Sequence, residues 1–302
     1  MEVITLDLRF RNVCQALASF LVFAPSGPVL IETGPGSTVP RLEEALTQHG
    51  LSFEDIKHVL VTHLHLDHAG AAGWLADKGA TIYIHWRAAQ HLVDPSRLLA
   101  SAARIYGDEM DTLWGNTMPV REDSICALRD GEDILINDMV VSAIEARGHA
   151  NHHHIFRIGD FAFMGDMGGI RIPGKNFVSL PAPPPEFDLE NWQISLAMIR
   201  ELELNRMFCT HFGVVDDVDL HIDRLISELN IVVEYVKNLV AEGLDRDAIV
   251  TRYVGWYRER AYSAGLLSDD LIKYETANPF FMSVDGIMRY MNKMLSDENS
   301  GR

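Results

Sequence analysis

The residues most able to do chemistry are crowded into one short stretch, His63-Leu64-His65-Leu66-Asp67-His68-Ala69-Gly70. Three imidazoles and a carboxylate occupy six positions, and neutral imidazole nitrogens with carboxylate oxygens suit zinc and similar divalent ions. On ordinary residue usage a chance H-x-H-x-D-H in a chain of this length is roughly 1 in 10³ or rarer. A cluster of polar rings of this density needs a reason, and metal binding supplies one. Further donors of the same types follow at wide intervals: Gly148-His149, Gly165-Asp166 and Thr210-His211, each read as the end of an apolar strand.

The elements that must position these groups are legible in the surrounding pattern. ITLDLRF, ASFLVFA and VLIETG read as consecutive strands separated by turn residues. A helix is expected from Val39 to His49, stopping at Gly50, and Ser52 with Asp55 forms an S-x-x-D capping pattern. A buried strand over His58 to Thr62 delivers the histidine cluster, Asp67 to Lys78 reads as helical, and TIYI as another strand. A loop-rich helical insertion at about residues 86–118 contains a helix over Pro95 to Tyr106 and apolar Met110, Trp114 and Met118. ILI with MVVSAIEA, and HIFRI with FAFMGD, read as two hairpins turning at Asn137-Asp138 and Gly159-Asp160. PAPPP, 181–185, must be an irregular loop, since proline has no amide donor and a fixed φ. Asp188 caps a helix to about Glu203, RMFCT is a short strand, and helices broken near Gly243, Gly265 and Pro279 fill the rest. The order implies an α/β fold of layered sheets with outer helices, divided into a catalytic region at 1–218 and a helical C-terminal region at 219–302.

Composition excludes several classes of function. The chain has 302 residues, 47% hydrophobic and 23% charged, with no apolar run long enough to span a membrane. Its net charge of -17 repels polyanions, so no nucleic-acid partner is expected and a small-molecule substrate is. Cys14, Cys126 and Cys209 are odd in number and widely spaced, which suits reduced thiols and a cytoplasmic location.

The arrangement resembles the metallo-β-lactamase superfamily over about residues 1 to 215: T-H-x-H-x-D-H, then G-H, then G-D, then a final His after a strand. That resemblance implies an αββα sandwich with a helical C-terminal appendage. It implies that His63, His65 and His149 bind one divalent ion, that Asp67, His68 and His211 bind a second, and that Asp166 bridges them. Zinc is the expected metal, with manganese or iron as alternatives for the same donors. Two such cations about 3.5–4 Å apart deprotonate a shared water near neutral pH, and Asp67 would orient it as the catalytic carboxylate. The expected activity is hydrolysis of a small or medium ester, lactone or thioester. A phosphodiesterase acting on a small phosphate ester is the runner-up, followed by a di-iron redox protein. Lactonases of this fold have a tyrosine where this chain has Gly169, and glyoxalase II a tyrosine where it has Gly213, so neither assignment is favoured.

Candidate substrate contacts are Arg171 and Lys175, as cations for an anionic group, and Tyr106 and Trp114, with Phe187, as pocket walls; His153, which aligns with the last His of the relatives' G-H-T-x-G-H, is expected either to support the ligands through a hydrogen bond from behind or to touch the substrate. His152 and His154 flank it with no assigned role. Glu32 is expected to buttress the metal-binding loop. The tail residues Tyr253, Trp256, Tyr257, Phe280, Phe281 and Met282 are too many large apolar groups to leave in water. They are expected to pack on the catalytic region and wall the pocket with the insertion, with a homodimer partner as the alternative cover.

Overall fold

A computed structural model describes residues 2–300. The strands are β1 Glu2–Asp7, β2 Ala18–Ala24, β3 Gly27–Ile31, β4 His58–Leu60, β5 Thr81–His85, β6 Ile125–Leu128, β7 Glu132–Ile136, β8 Met139–Glu145, β9 His154–Ile158, β10 Phe161–Ile170, β11 Arg206–His211 and β12 Gly213–Val215. The helices are α1 Val39–Thr47, α2 Leu66–Ala69, α3 Ala72–Asp77, α4 Trp86–Val93, α5 Ser96–Tyr106, α6 Met110–Leu113, α7 Leu189–Arg200, α8 Val218–Ala241, α9 Arg246–Ser263, α10 Ser268–Ala277 and α11 Phe280–Ser300.

Two six-stranded sheets form, in the orders β1-β2-β3-β4-β5-β6 and β12-β11-β10-β9-β8-β7. Alternation along each strand decides what lies between them. In β2, Phe20 and Val22 point inward and meet Phe156, Phe163 and Phe208 of the other sheet, whereas Leu21 points outward under helices. On that outer side Leu42, Leu46, Leu75 and Leu92 of α1, α3 and α4 cover Val59, Ile82 and Ile84. The outer face of the second sheet, with Met164, Met207 and Cys209, is covered by Trp192 and Leu196 of α7 and by Ile222, Leu225 and Leu229 of α8. The result is an αββα sandwich of the α/β class. The tail does not stand apart from it: Tyr253, Tyr257, Tyr274 and Phe280 belong to the same buried cluster as Met164 and Trp192. Among the described residues no helix is long and apolar enough to cross a membrane.

The expected helix starts are present with their caps. Asp188 accepts a hydrogen bond from Asn191 N, and Ser52 with Asp55 closes a capping box; Asp245, which the sequence did not single out, caps α9 in the same way, accepting from Ala248 N. Two local expectations are corrected, and two strands were not foreseen. The helix expected over Asp67 to Lys78 is broken into α2 and α3 at Gly70-Ala71, where Gly70 lies against Pro35 and an added Cβ would stand 2.9 Å from its Cα. The strand ending at Asp166 continues to Ile170, because its register against β11 shifts on both sides of Gly165. Strands β6 and β12 are edge strands of four and three residues, too short to show a period.

Candidate metal centre

The site lies at one end of the two sheets, where several chain segments stop or turn. His63 and His65 follow β4, Asp67 and His68 start α2, His149 sits between β8 and β9, Asp166 lies within β10 and His211 closes β11. Two of the glycines beside these residues are required. Gly165 has φ +50°, and a Cβ there would stand 2.4 Å from Thr62 Oγ1 and 2.7 Å from His153 Nε2. Gly148 has φ +133° and lies against Trp192 Cα, 2.3 Å from an added Cβ. Only glycine tolerates both the backbone angle and the approach.

The side chains form two groups whose donor atoms lie within 4.8 Å of one another: His63, His65, His149 and Asp166, and Asp67, His68 and His211. In the first, His65 Nδ1 is 3.0 Å from His63 Nε2 and 2.9 Å from His149 Nε2. In the second, His211 Nε2 is 3.4 Å from Asp67 Oδ2, and His68 Nε2 is 3.6 Å from the same oxygen. Asp166 faces both groups. Its Oδ2 lies 3.2 Å from His149 Nε2, and its Oδ1 lies 3.1 Å from His68 Nε2 and 3.3 Å from His211 Nε2.

These atoms fit divalent cations better than they fit one another. Tetrahedral ligands with bonds of about 2.0–2.1 Å stand about 3.3 Å apart, close to the spacings seen. The far nitrogens also decide the tautomers. His149 Nδ1 donates to Pro181 O at 2.7 Å, His211 Nδ1 to Ala16 O at 2.8 Å and His68 Nδ1 to Glu32 Oε1 at 3.1 Å. Since those partners only accept, each Nε2 of the neutral ring points its lone pair into the site, where at His68 and His211 a proton or a cation must sit on it. His65 Nδ1 faces two such nitrogens and can carry only one proton. The buried His68 Nε2, His211 Nε2 and Asp166 Oδ1 make no hydrogen bond among the described residues. A cation in each group satisfies all of them.

The electrostatics divide in the same way. Burial, then the neighbouring imidazoles, hold His63 and His65 well below the usual histidine range, so both are neutral and ready to ligate. Burial also opposes charge on His68 and His211, but the surrounding carboxylates outweigh it. Asp166 leads in raising His68 well above its ordinary value and His211 to about 10. Burial likewise opposes the charge on Asp166, yet His68, His149 and His211 hold its carboxyl well below the usual range. The carboxylates thus demand positive charge at the second group.

Glu32 is the buttress expected of it. It is buried with a left-handed φ of 65°, and its Oε1 accepts from Thr62 Oγ1 at 2.5 Å and from His68 Nδ1. A left-handed non-glycine residue is a conformation held by its surroundings. Glu32→Ala would leave these buried donors unpaired and His68 free to turn. A loss of about 10–100-fold in metal affinity is expected, the usual cost of removing such a support. Titration against a chromophoric chelator measures it, and wild-type affinity would show that the backbone alone orients His68.

A cavity of about 830 Å³ opens above the site, with His65, Asp67 and Asp166 among its lining residues. Tyr106 and Trp114 of the insertion wall it as expected, with Phe10, which stacks on Trp114 at 5.7 Å. Phe281 and Met282 of the tail complete the wall, as the sequence implied. Four expected cavity contacts are corrected. Arg171 does not line the cavity; its guanidinium holds Asp217 at 2.6 Å. Lys175 is likewise taken by Asp270, at 2.6 Å. His153 is buried behind the site, where its Nε2 accepts from Asp166 N at 3.2 Å, so of its two expected roles the supporting hydrogen bond is the one formed and the substrate contact is not. Phe187 is also internal, packed on Trp192 and Tyr290. The member of the histidine tract that does reach the cavity is His152, beside Glu186. No sequence signal separated it from its neighbours, because a three-residue difference in facing is set by the turn before β9.

A family model described as the metallo-beta-lactamase superfamily matches residues 11–211. A metallo-beta-lactamase fold-containing protein of Sulfurisphaera tokodaii is 26% identical over 184 residues, which cover 59% of this chain and 69% of that protein. An atrochrysone carboxyl ACP thioesterase of Aspergillus fumigatus is 24% identical over 234 residues, 76% of this chain, and the chain spans only 46% of its length. Among solved structures, a metallo-beta-lactamase family protein from Thermus thermophilus superposes with a TM-score of 0.70 at 19% identity, covering 97% of this chain and 93% of that one.

Proposed function

The chain belongs to the metallo-β-lactamase superfamily, and from that premise we propose that it is a hydrolase that uses two divalent metal ions, zinc first, to cleave a small or medium ester, lactone or thioester. The observation that carries the reading is Asp166, whose two oxygens face two separate groups of histidine donors at the floor of a cavity. Cations held in both groups would lower the pKa of a water between them and polarise the bond under attack. The chain's own residues do the rest. Glu32, Pro181 O and Ala16 O keep protons on the far nitrogens of His68, His149 and His211, so the near nitrogens stay free to ligate. Asp67 stands at the cavity floor, where its carboxylate accepts a proton-bearing partner and orients the attacking water. Phe10, Tyr106, Trp114 and Met282 exclude bulk water and receive the apolar part of the substrate.

The acyl class is favoured over phosphodiesters because Arg171 and Lys175, the two cations expected to hold a phosphate, are tied to Asp217 and Asp270. The thioesterase relative supports the same class. A panel of lactones, acyl thioesters and phosphodiesters, run on metal-analysed protein, tests the assignment. Turnover of an acyl substrate is expected, with two metals per chain, abolition by a chelator and restoration by zinc. Turnover of phosphodiesters alone would overturn the acyl assignment, and at most one tightly held metal under replete conditions would overturn the two-metal site. A coloured iron protein without hydrolytic activity would favour the redox reading.

A further inference from the structure

The carbonyl that orients His149 belongs to Pro181, in a loop without regular structure of its own. Proline supplies no amide hydrogen, so the direction of that carbonyl must be fixed through the residues on either side. Both are held by one side chain of the C-terminal helix. Ser283 Oγ donates to Leu180 O at 2.8 Å and accepts from Ala182 N at 3.4 Å, while Asn278 Nδ2 donates to Ser283 Oγ at 2.9 Å and to Leu180 O at 3.3 Å. Ser283 and Asn278 are both buried, so water does not substitute for these bonds.

The helix also closes directly on the loop. A Cβ added at Gly286 would stand 2.0 Å from Ala182 O and 2.9 Å from Pro183 C. Glycine inside a helix is unfavourable relative to alanine, and here the close approach is its physical reason. Farther along, Tyr290 OH donates to Glu190 at 2.6 Å, tying α11 to the first turn of α7. Just before that turn, Asp188 N donates to Gly148 O at 2.8 Å, at the residue preceding His149. The helix therefore reaches His149 from two sides, through Pro181 and through Gly148.

We propose that α11, which lies outside the segment matched by the family model, is part of the device that aims His149 into the metal centre, with Ser283 and Gly286 as positioning residues. This rests on the reading of His63, His65, His149 and Asp166 as a metal group. Its consequence is that the C-terminal helix sets the affinity of one metal and not of the other, because the Asp67, His68 and His211 group draws its supports from Glu32 and Ala16 O.

The test uses the full chain with Ser283→Ala and Gly286→Ala, titrated with zinc against a chromophoric chelator and with cobalt(II) followed by visible absorption. A His211→Ala background isolates the first group. Ser283→Ala is expected to weaken the metal at the His149 group about 10-fold, the lower end of what lost outer supports cost, to leave the other affinity at its wild-type value and to alter the cobalt spectrum. Wild-type affinities with an unchanged spectrum would overturn the proposal. Equal weakening of both metals would also overturn it, since general loosening of the fold has that signature. If Gly286→Ala does not fold, Ser283→Ala alone decides. Wild-type protein that takes up neither zinc nor cobalt would instead remove the metal reading beneath it.

Discussion

Asp67→Ala is expected to lower kcat/KM by about 10³, or about 4 kcal/mol of transition-state stabilisation, while the protein stays folded. Its carboxylate sits at the first turn of α2, lines the cavity and has 17% of its side-chain surface exposed. Truncation therefore opens no void in a packed core. The loss is chemical, because the second group is left with His68, His211 and the shared Asp166, and the carboxylate proposed to orient the attacking water is gone. Metal analysis of the variant separates the two contributions. One metal per chain would make the ligand role dominant, and two metals with the same slow turnover would make the orienting role dominant. Near-normal turnover in a folded variant would contradict the mechanism.

Deleting residues 220–302 is expected to abolish soluble, active protein. The deletion removes Ile222, Leu225, Leu229, Tyr253, Tyr257, Tyr274 and Phe280, which share one buried cluster with Met164, Met167, Phe177, Leu180 and Trp192. A large apolar side chain is worth roughly 1.5–3 kcal/mol when fully buried, so seven of them are worth roughly 10–20 kcal/mol, as much as the whole 5–15 kcal/mol net stability typical of a domain. The cut also removes Phe281 and Met282 from the cavity wall and Ser283 from the loop beside His149. Circular dichroism, sedimentation and turnover of the truncated chain check this together. A soluble monomer with full activity would show that the tail neither covers the second sheet nor walls the site.

The amino-acid sequence alone was enough to nominate the seven donors that the fold brings together and a layered arrangement of sheets with outer helices, while the αββα sandwich was implied by the family resemblance those residues carry. The reason is that the signals are local. A strand followed at once by H-x-H-x-D-H, and single histidines or aspartates at the ends of apolar strands, need only chain direction and alternation to be placed. The aromatic load of the tail was legible for a similar reason, since buried area depends on composition. Charged partners were not legible. Arg171 and Lys175 read as free cations until folding set Asp217 and Asp270 beside them, and a guanidinium's role depends on which carboxylate reaches it first. The division of His152, His153 and His154 among cavity, backbone support and core depends on how one turn faces β10, which no periodicity records. The clamp on Pro181 joins residues about a hundred positions apart through a serine and a glycine. Neither residue type announces chemistry by itself, and only tertiary packing could give them a part in holding a metal ligand.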